Sequence, residues 1–185
     1  MRSRVGEVIR SERQRLGLSQ QQLANKVHVD RSMISHWERG AMSIPYDVLC
    51  RIVRALGSHR LRTQVCFECK ANSLTPPFLD QVDMHPFVVT EVLIEELEEA
   101  AQALRTLRLA NKRSADQLTD QDKASMEYAG EQVMDLLPAI QMLMAAWQEW
   151  YGVDVDRLAI AGYEKLFQRG YAKRQHYDAW KYVTA

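Results

Sequence analysis

Through the first 58 positions, apolar residues recur three and four apart and are interrupted by short polar signals. Val5, Val8, Ile9 and Leu16 share a helical face, which predicts a helix over 4–16 with Gly17 as its stop. Ser19, followed by Gln22 three residues later, reads as a capping box opening a second helix. Leu23, Ala24 and Val27 are its apolar face, and Ala24 is small enough for a neighbouring helix to come close. The tripeptide HVD is the turn, and Asp30 caps a third helix with Ile34 and Trp37 facing inward and Gly40 at its end. Pro45 fits the first turn of a fourth helix, with Val48, Leu49, Ile52 and Ala55 buried and Gly57 closing it.

The pattern then changes. Leu61, Thr63, Val65, Phe67 and Cys69 fall on one side of an alternating stretch, which predicts a short β-strand over 59–69, able to pair with its own copy. The segment from Lys70 to Pro86 is rich in turn formers and reads as a linker. Helical spacing returns with Leu93, Leu97, Ala100, Leu104 and Leu107, a 4-3-4-3 seam widened by Val89, Val92 and Ala101. Thr119 caps a long helix from Asp120 to Tyr151 that Gly152 ends. Val133, Leu137, Ile140, Met144, Trp147 and Tyr151 form one stripe on it, and Leu136, Leu143 and Trp150 a second, which predicts burial on two sides and a kink at Pro138. A last helical stretch runs from Asp154 or Asp156 to Arg169, followed by Gly170 and YAKRQHYDAWKYV. The pattern predicts a mainly α chain with three regions: a helical bundle over 1–58, a strand and linker over 59–85, and a helical region over 86–185.

Charge sharpens this division. The chain of 185 residues is formally neutral, with 24 Lys+Arg and 24 Asp+Glu. Residues 1–62 carry 12 Lys+Arg against 5 Asp+Glu, a net +7, and residues 63–185 carry the compensating −7. The basic part is a candidate for binding a polyanion. No apolar run approaches the ~20 residues of a membrane span, and LLPAIQMLMAAW is broken by Pro138 and Gln141. The charged N-terminus lacks the pattern of a secretory signal, and three cysteines suit a reducing interior, so a cytoplasmic location is expected.

The stretch LSQQQLANKVHVDRSMISHWERG followed by IPYDVLCRIVRALG resembles the helix-turn-helix of the phage-repressor/Cro-type, or XRE, family of transcriptional regulators. The resemblance covers about residues 4–58. It is carried jointly by Ser19-Gln20, Leu23-Ala24, Val29, Ser32, Ile34-Ser35, Glu38-Arg39-Gly40 and Ala55-Leu56-Gly57. It implies a lambda-repressor-like bundle of four to five helices, with the helix Arg31–Arg39 lying in the major groove of double-stranded DNA. Position by position, it puts Arg31, Ser32, Ser35 and His36 near base edges. It puts Ser19, Gln20, Ser43 and Tyr46 near phosphates, and Arg13 and Glu38 in a structural ion pair. His28 stands where the family usually has glycine, at a turn that asks for positive φ.

The remaining chemistry is sparse. Cys66 and Cys69 form a CxxC, but on a strand two residues three apart point to opposite faces and cannot chelate together. No metal ligand set is assigned, and no cofactor. The histidines 28, 36, 59, 85 and 176 share no ligand spacing, and no phosphate loop, zinc-protease or serine-hydrolase motif is present, so no enzyme is expected. The acidic region is expected to serve dimerisation of a homodimeric repressor. Two alternatives stand beside it. One is a small-molecule or peptide sensor lined by Met126, Met134, Met142, Met144, Trp147, Trp150 and Tyr151. The other is a protein-binding module, as in an antitoxin that also binds DNA.

Overall fold

The computed structural model describes residues 4–68, 75–79 and 81–171. The order is α1 (Val5–Arg15), α2 (Gln20–Val27), α3 (Arg31–Glu38), α4 (Tyr46–Leu56), α5 (His59–Glu68), α6 (Pro86–Thr106), a 3-10 turn at Ala115–Gln117, α7 (Asp120–Tyr151) and α8 (Val155–Gln168). Two compact units divide the chain, Met1–Ala146 and Trp147–Ala185. No described helix is long and apolar enough to cross a membrane.

In the first unit, α1 to α5 enclose one apolar core. Ile9, Leu23, Ala24, Val27, Ile34, Ile52 and Leu61 are fully buried in it, joined by Val5, Trp37, Val48 and Leu56. The buried ridge of α4 is Val48, Ile52 and Leu56, spaced four apart, so the predicted Leu49 and Ala55 sit half-buried beside it. Leu16 lies past the last turn of α1 and is exposed. Gly6 lets α1 cross α3 closely. A Cβ there would overlap the Trp37 carbonyl oxygen and lie 3.1 Å from its carbonyl carbon.

The region 59–68 is a helix and not the expected strand. The alternation of Leu61, Thr63, Val65 and Phe67 is overridden by an N-terminal cap and by packing. The buried Ser58 Oγ accepts the Leu61 N–H at 3.1 Å, and the Ser58 carbonyl accepts the Arg62 N–H at 3.2 Å. Leu61 and Gln64, three apart, then face inward. At the far end, Glu68 Oε1 accepts the N–H groups of Arg4 at 2.7 Å and Val5 at 3.2 Å, capping α1 from a distant part of the chain. α5 also meets α7: Gln141 Oε1 accepts from Thr63 Oγ1 at 2.9 Å and lies 2.5 Å from His59 Nε2. Burial pushes the His59 imidazole below its ordinary range, partly offset by the bond to Gln141. Arg60 lies over the buried ring of Phe78, 4.8 Å from its centroid. Cys69, Lys70 and most of the linker's first half lie outside the described residues.

Beyond residue 85 the helix limits follow their caps, while the buried faces differ from expectation. α7 opens on a reciprocal cap in which Asp122 N–H bonds Thr119 Oγ1 at 3.1 Å and Asp122 Oδ2 accepts Thr119 N–H at 2.8 Å. The bond from the Thr119 N–H, with those from Lys112 and the Thr119 hydroxyl, holds the Asp122 carboxyl down at about 2. α6 buries Val89, Ala100 and Ala103, and leaves Leu97 and Leu104 of the predicted seam half in water. Up to residue 146, α7 buries Ala129, Ala139, Met142, Leu143, Ala145 and Ala146, while Val133 and Ile140 of the first stripe are exposed. Four alanines share that buried face with Met142 and with Leu143 of the predicted second stripe. In the second unit α8 is capped by Asp154, whose Oδ1 accepts the Arg157 N–H at 2.9 Å, and buries Val155. The expected elements past Tyr171 lie outside the described residues.

Candidate nucleic-acid interface

The paired helices α2 and α3 are set by local chemistry. Ser19 Oγ accepts the Gln22 N–H at 3.1 Å and Gln22 Oε1 accepts the Ser19 N–H at 2.8 Å, the reciprocal capping box expected from the residues. α2 ends at His28, with φ 55° and ψ 55°, and the Val29 N–H closes back on the Ala24 carbonyl at 3.1 Å. The turn takes the left-handed conformation that the sequence asked for, with a histidine supplying it. Asp30 holds the N-cap of α3 in extended backbone but makes no side-chain bond to the first turn, which departs from the expected cap.

This left-handed residue carries a testable strain. A non-glycine residue there costs about 1–2 kcal/mol, and glycine returns part of that through its unfolded-state freedom. His28→Gly is therefore expected to stabilise the domain by about 0.5–1 kcal/mol. Its thermal midpoint should rise, and a fall would show that the His28 side chain holds the turn.

α3 has a buried face of Ile34, Trp37 and Glu38. Arg31 and Ser32 are exposed, and Ser35 and His36 are half-buried. Arg31 has no hydrogen bond or ion pair among the described residues, whereas Arg39 lies across the other two: its Nε donates to the Ser35 carbonyl at 3.1 Å and its Nη2 is 3.5 Å from His36 Nδ1. Arg39 was not among the expected contact residues. Its spacing from Ser35 and His36, four and three residues, is the signal that places it on their face. Ser19, Ser43 and Tyr46 are exposed, Tyr46 at 80%. Gln20 is half-buried and its Nε2 donates to Glu38 Oε2 at 2.9 Å.

Behind this surface, Arg13 and Glu38 form a buried two-bond pair. Arg13 Nε lies 2.6 Å from Glu38 Oε1, and Nη2 lies 3.0 Å from Oε2. Nη1 donates to the Leu18 carbonyl at 2.6 Å. The bond to Glu38 raises the Arg13 pKa against the opposing effect of burial. The pair ties α1 to the end of α3, and Gln20 brings the start of α2 into the same network. Arg51 adds a tie that the sequence pattern does not announce: its Nη1 donates to the Val27 carbonyl at 2.7 Å and its Nη2 to Asp47 at 3.1 Å. Among the described residues, no group of three or more His, Cys, Asp or Glu could hold a metal ion. Cys66 is exposed on α5 and Cys50 half-buried on α4. The residues named for a sensor do not share a side of α7, since Met142 is buried while Met126 and Met134 are exposed.

Residues 9–61 match a protein-family model described as Helix-turn-helix, whose match ends inside α5. No curated protein and no solved structure matches the chain. The match supports a DNA-binding regulator of the XRE type. By its match, its capped helix pair and its left-handed turn, the segment 9–61 is a helix-turn-helix domain of the XRE type.

Proposed function

We propose that this chain is a sequence-specific transcriptional regulator that represses by occupying a two-half-site operator as a homodimer. The observation that carries the reading is the exposed first turn of α3, where Arg31 stands clear in a domain of this type. Arg31 reads a base directly, because a guanidinium can bond guanine O6 and N7 together. Ser32, Ser35 and His36 complete the face, and Arg39 extends it with a second guanidinium. Ser19, Ser43 and Tyr46 bond phosphates from the flanking elements, with Gln20 placed at the anion-favouring start of α2. The net +7 of residues 1–62 favours the duplex, and the acidic remainder turns the basic side toward it.

Two measurements test this reading. Arg31→Ala is expected to weaken discrimination at one base pair of each half-site by ~1–3 kcal/mol, roughly 5- to 150-fold, while affinity for unrelated duplexes changes little. Unchanged footprints and affinities would remove Arg31 from the reading face. Affinity should also fall steeply with salt, with a log–log slope of about −0.9 for each phosphate neutralised. A flat response would contradict a phosphate-anchored complex.

A further inference from the structure

α6 presents an apolar stripe to solvent. Phe87, Ile94, Leu97 and Leu104 are 66%, 45%, 48% and 49% exposed, and Ala101 is half-buried among them. At about 100° per residue these five fall within an arc of roughly 100°, turned away from the buried Val89, Ala100 and Ala103. The last four are spaced 3-4-3, the spacing of a two-helix seam. We infer that this stripe pairs antiparallel with the same stripe of a second copy, forming a two-fold contact between protomers. The inference rests on the homodimer proposed above and names its surface.

The charges along the seam select the occupant and its direction. Glu91, Glu98 and Arg105 are exposed along one edge at seven-residue intervals, acidic toward the start of the helix and basic at its end. A parallel copy would face this edge with the opposite, uncharged edge of the seam, Leu93 and Ala100, and leave the three charges without partners. An antiparallel copy sets Glu91 beside Arg105 of the second copy, and the two-fold axis repeats the pair. Glu98 lies near the axis and meets its like, one repulsion against two attractions. The apolar residues are self-complementary in the same register: Ile94 lies against Leu104 of the second copy, and Leu97 against the small Ala101. The exposed stripe of α7 carries no such address, since its flanking positions are Glu127, Met134 and Gln141.

The test is sedimentation of the full chain at several concentrations, with circular dichroism to confirm helicity. The wild type is expected to be a dimer. Leu97→Glu, at a half-exposed position, should raise the dimer dissociation constant at least about tenfold. Glu91→Arg and Arg105→Glu should each weaken the dimer, by about tenfold at most. The double variant Glu91→Arg/Arg105→Glu should restore it. Rescue by the double charge exchange is specific to the antiparallel arrangement, and it decides the matter even where Leu97→Glu misfolds. A dimer indifferent to these substitutions overturns this surface and leaves a homodimer joined elsewhere. Single-variant weakening without rescue overturns the antiparallel register. A monomeric wild type overturns both this inference and the dimeric operator reading.

Discussion

Glu38→Ala is expected to lower the unfolding free energy of the helix-turn-helix domain by about 3–5 kcal/mol. Glu38 has 2% of its side chain exposed and Arg13 9%, so removing the carboxylate strands a guanidinium where water cannot replace its partner. The loss is larger than the net worth of the pair, because desolvating two charges already offsets most of their attraction. Four bonds hold Glu38 and Arg13 in place: two between them, one from Gln20 to Glu38 and one from Arg13 to the Leu18 carbonyl. Glu38→Gln should cost less, since the amide oxygen still accepts one of these bonds. Chemical unfolding of the full chain, followed through the helical signal, measures both. Equal and small losses, under about 1 kcal/mol, would mean the pair is solvated in solution.

Gly6→Ala is the second large effect, expected near the upper end of the roughly 1–3 kcal/mol range for overpacking. Alanine ordinarily favours a helix interior over glycine by about 1 kcal/mol, so a stabilisation is the naive expectation. Here the neighbour of the new methyl is the Trp37 carbonyl, which is backbone and cannot rotate away. α1 must lift from α3, taking Val5 and Ile9 with it. A thermal midpoint at or above that of the wild type would show that the two helices are less closely apposed than described.

These two residues also show where sequence reading succeeds and where it stops. Helix limits set by local caps were legible: the Ser19–Gln22 box, the Thr119–Asp122 cap, the glycines after α1, α4 and α7, and the span Asp120–Tyr151 itself. His28 was legible as a left-handed turn through the resemblance, which has glycine at that position. The exposed residues of α3 came from the resemblance, matched position by position, and Arg31 and Ser32 stand exposed. What failed depended on distant partners. α5 reads as a strand because Leu61, Thr63, Val65 and Phe67 alternate, but the Ser58 cap, the burial of Leu61, Glu68 reaching α1 and Thr63 reaching Gln141 make it a helix in place. The close approach at Gly6 is equally invisible without Trp37. In α6 and α7 the periodicity marked Val89, Ala100 and Leu143, which are buried, and missed Ala103, Ala129, Ala139, Ala145 and Ala146, whose weak hydrophobicity hides them from a pattern search.

The central claim is that the first turn of α3 reads base edges. Selection of bound duplexes from a random pool by the full chain, at near-physiological salt, tests it most directly. The account predicts enrichment of one sequence in two inverted copies, with centres about 34–36 Å apart or a multiple of that. It also predicts that Arg31→Ala blurs one position in each copy. A pool that emerges as random as it entered, with every duplex held equally, would contradict the account.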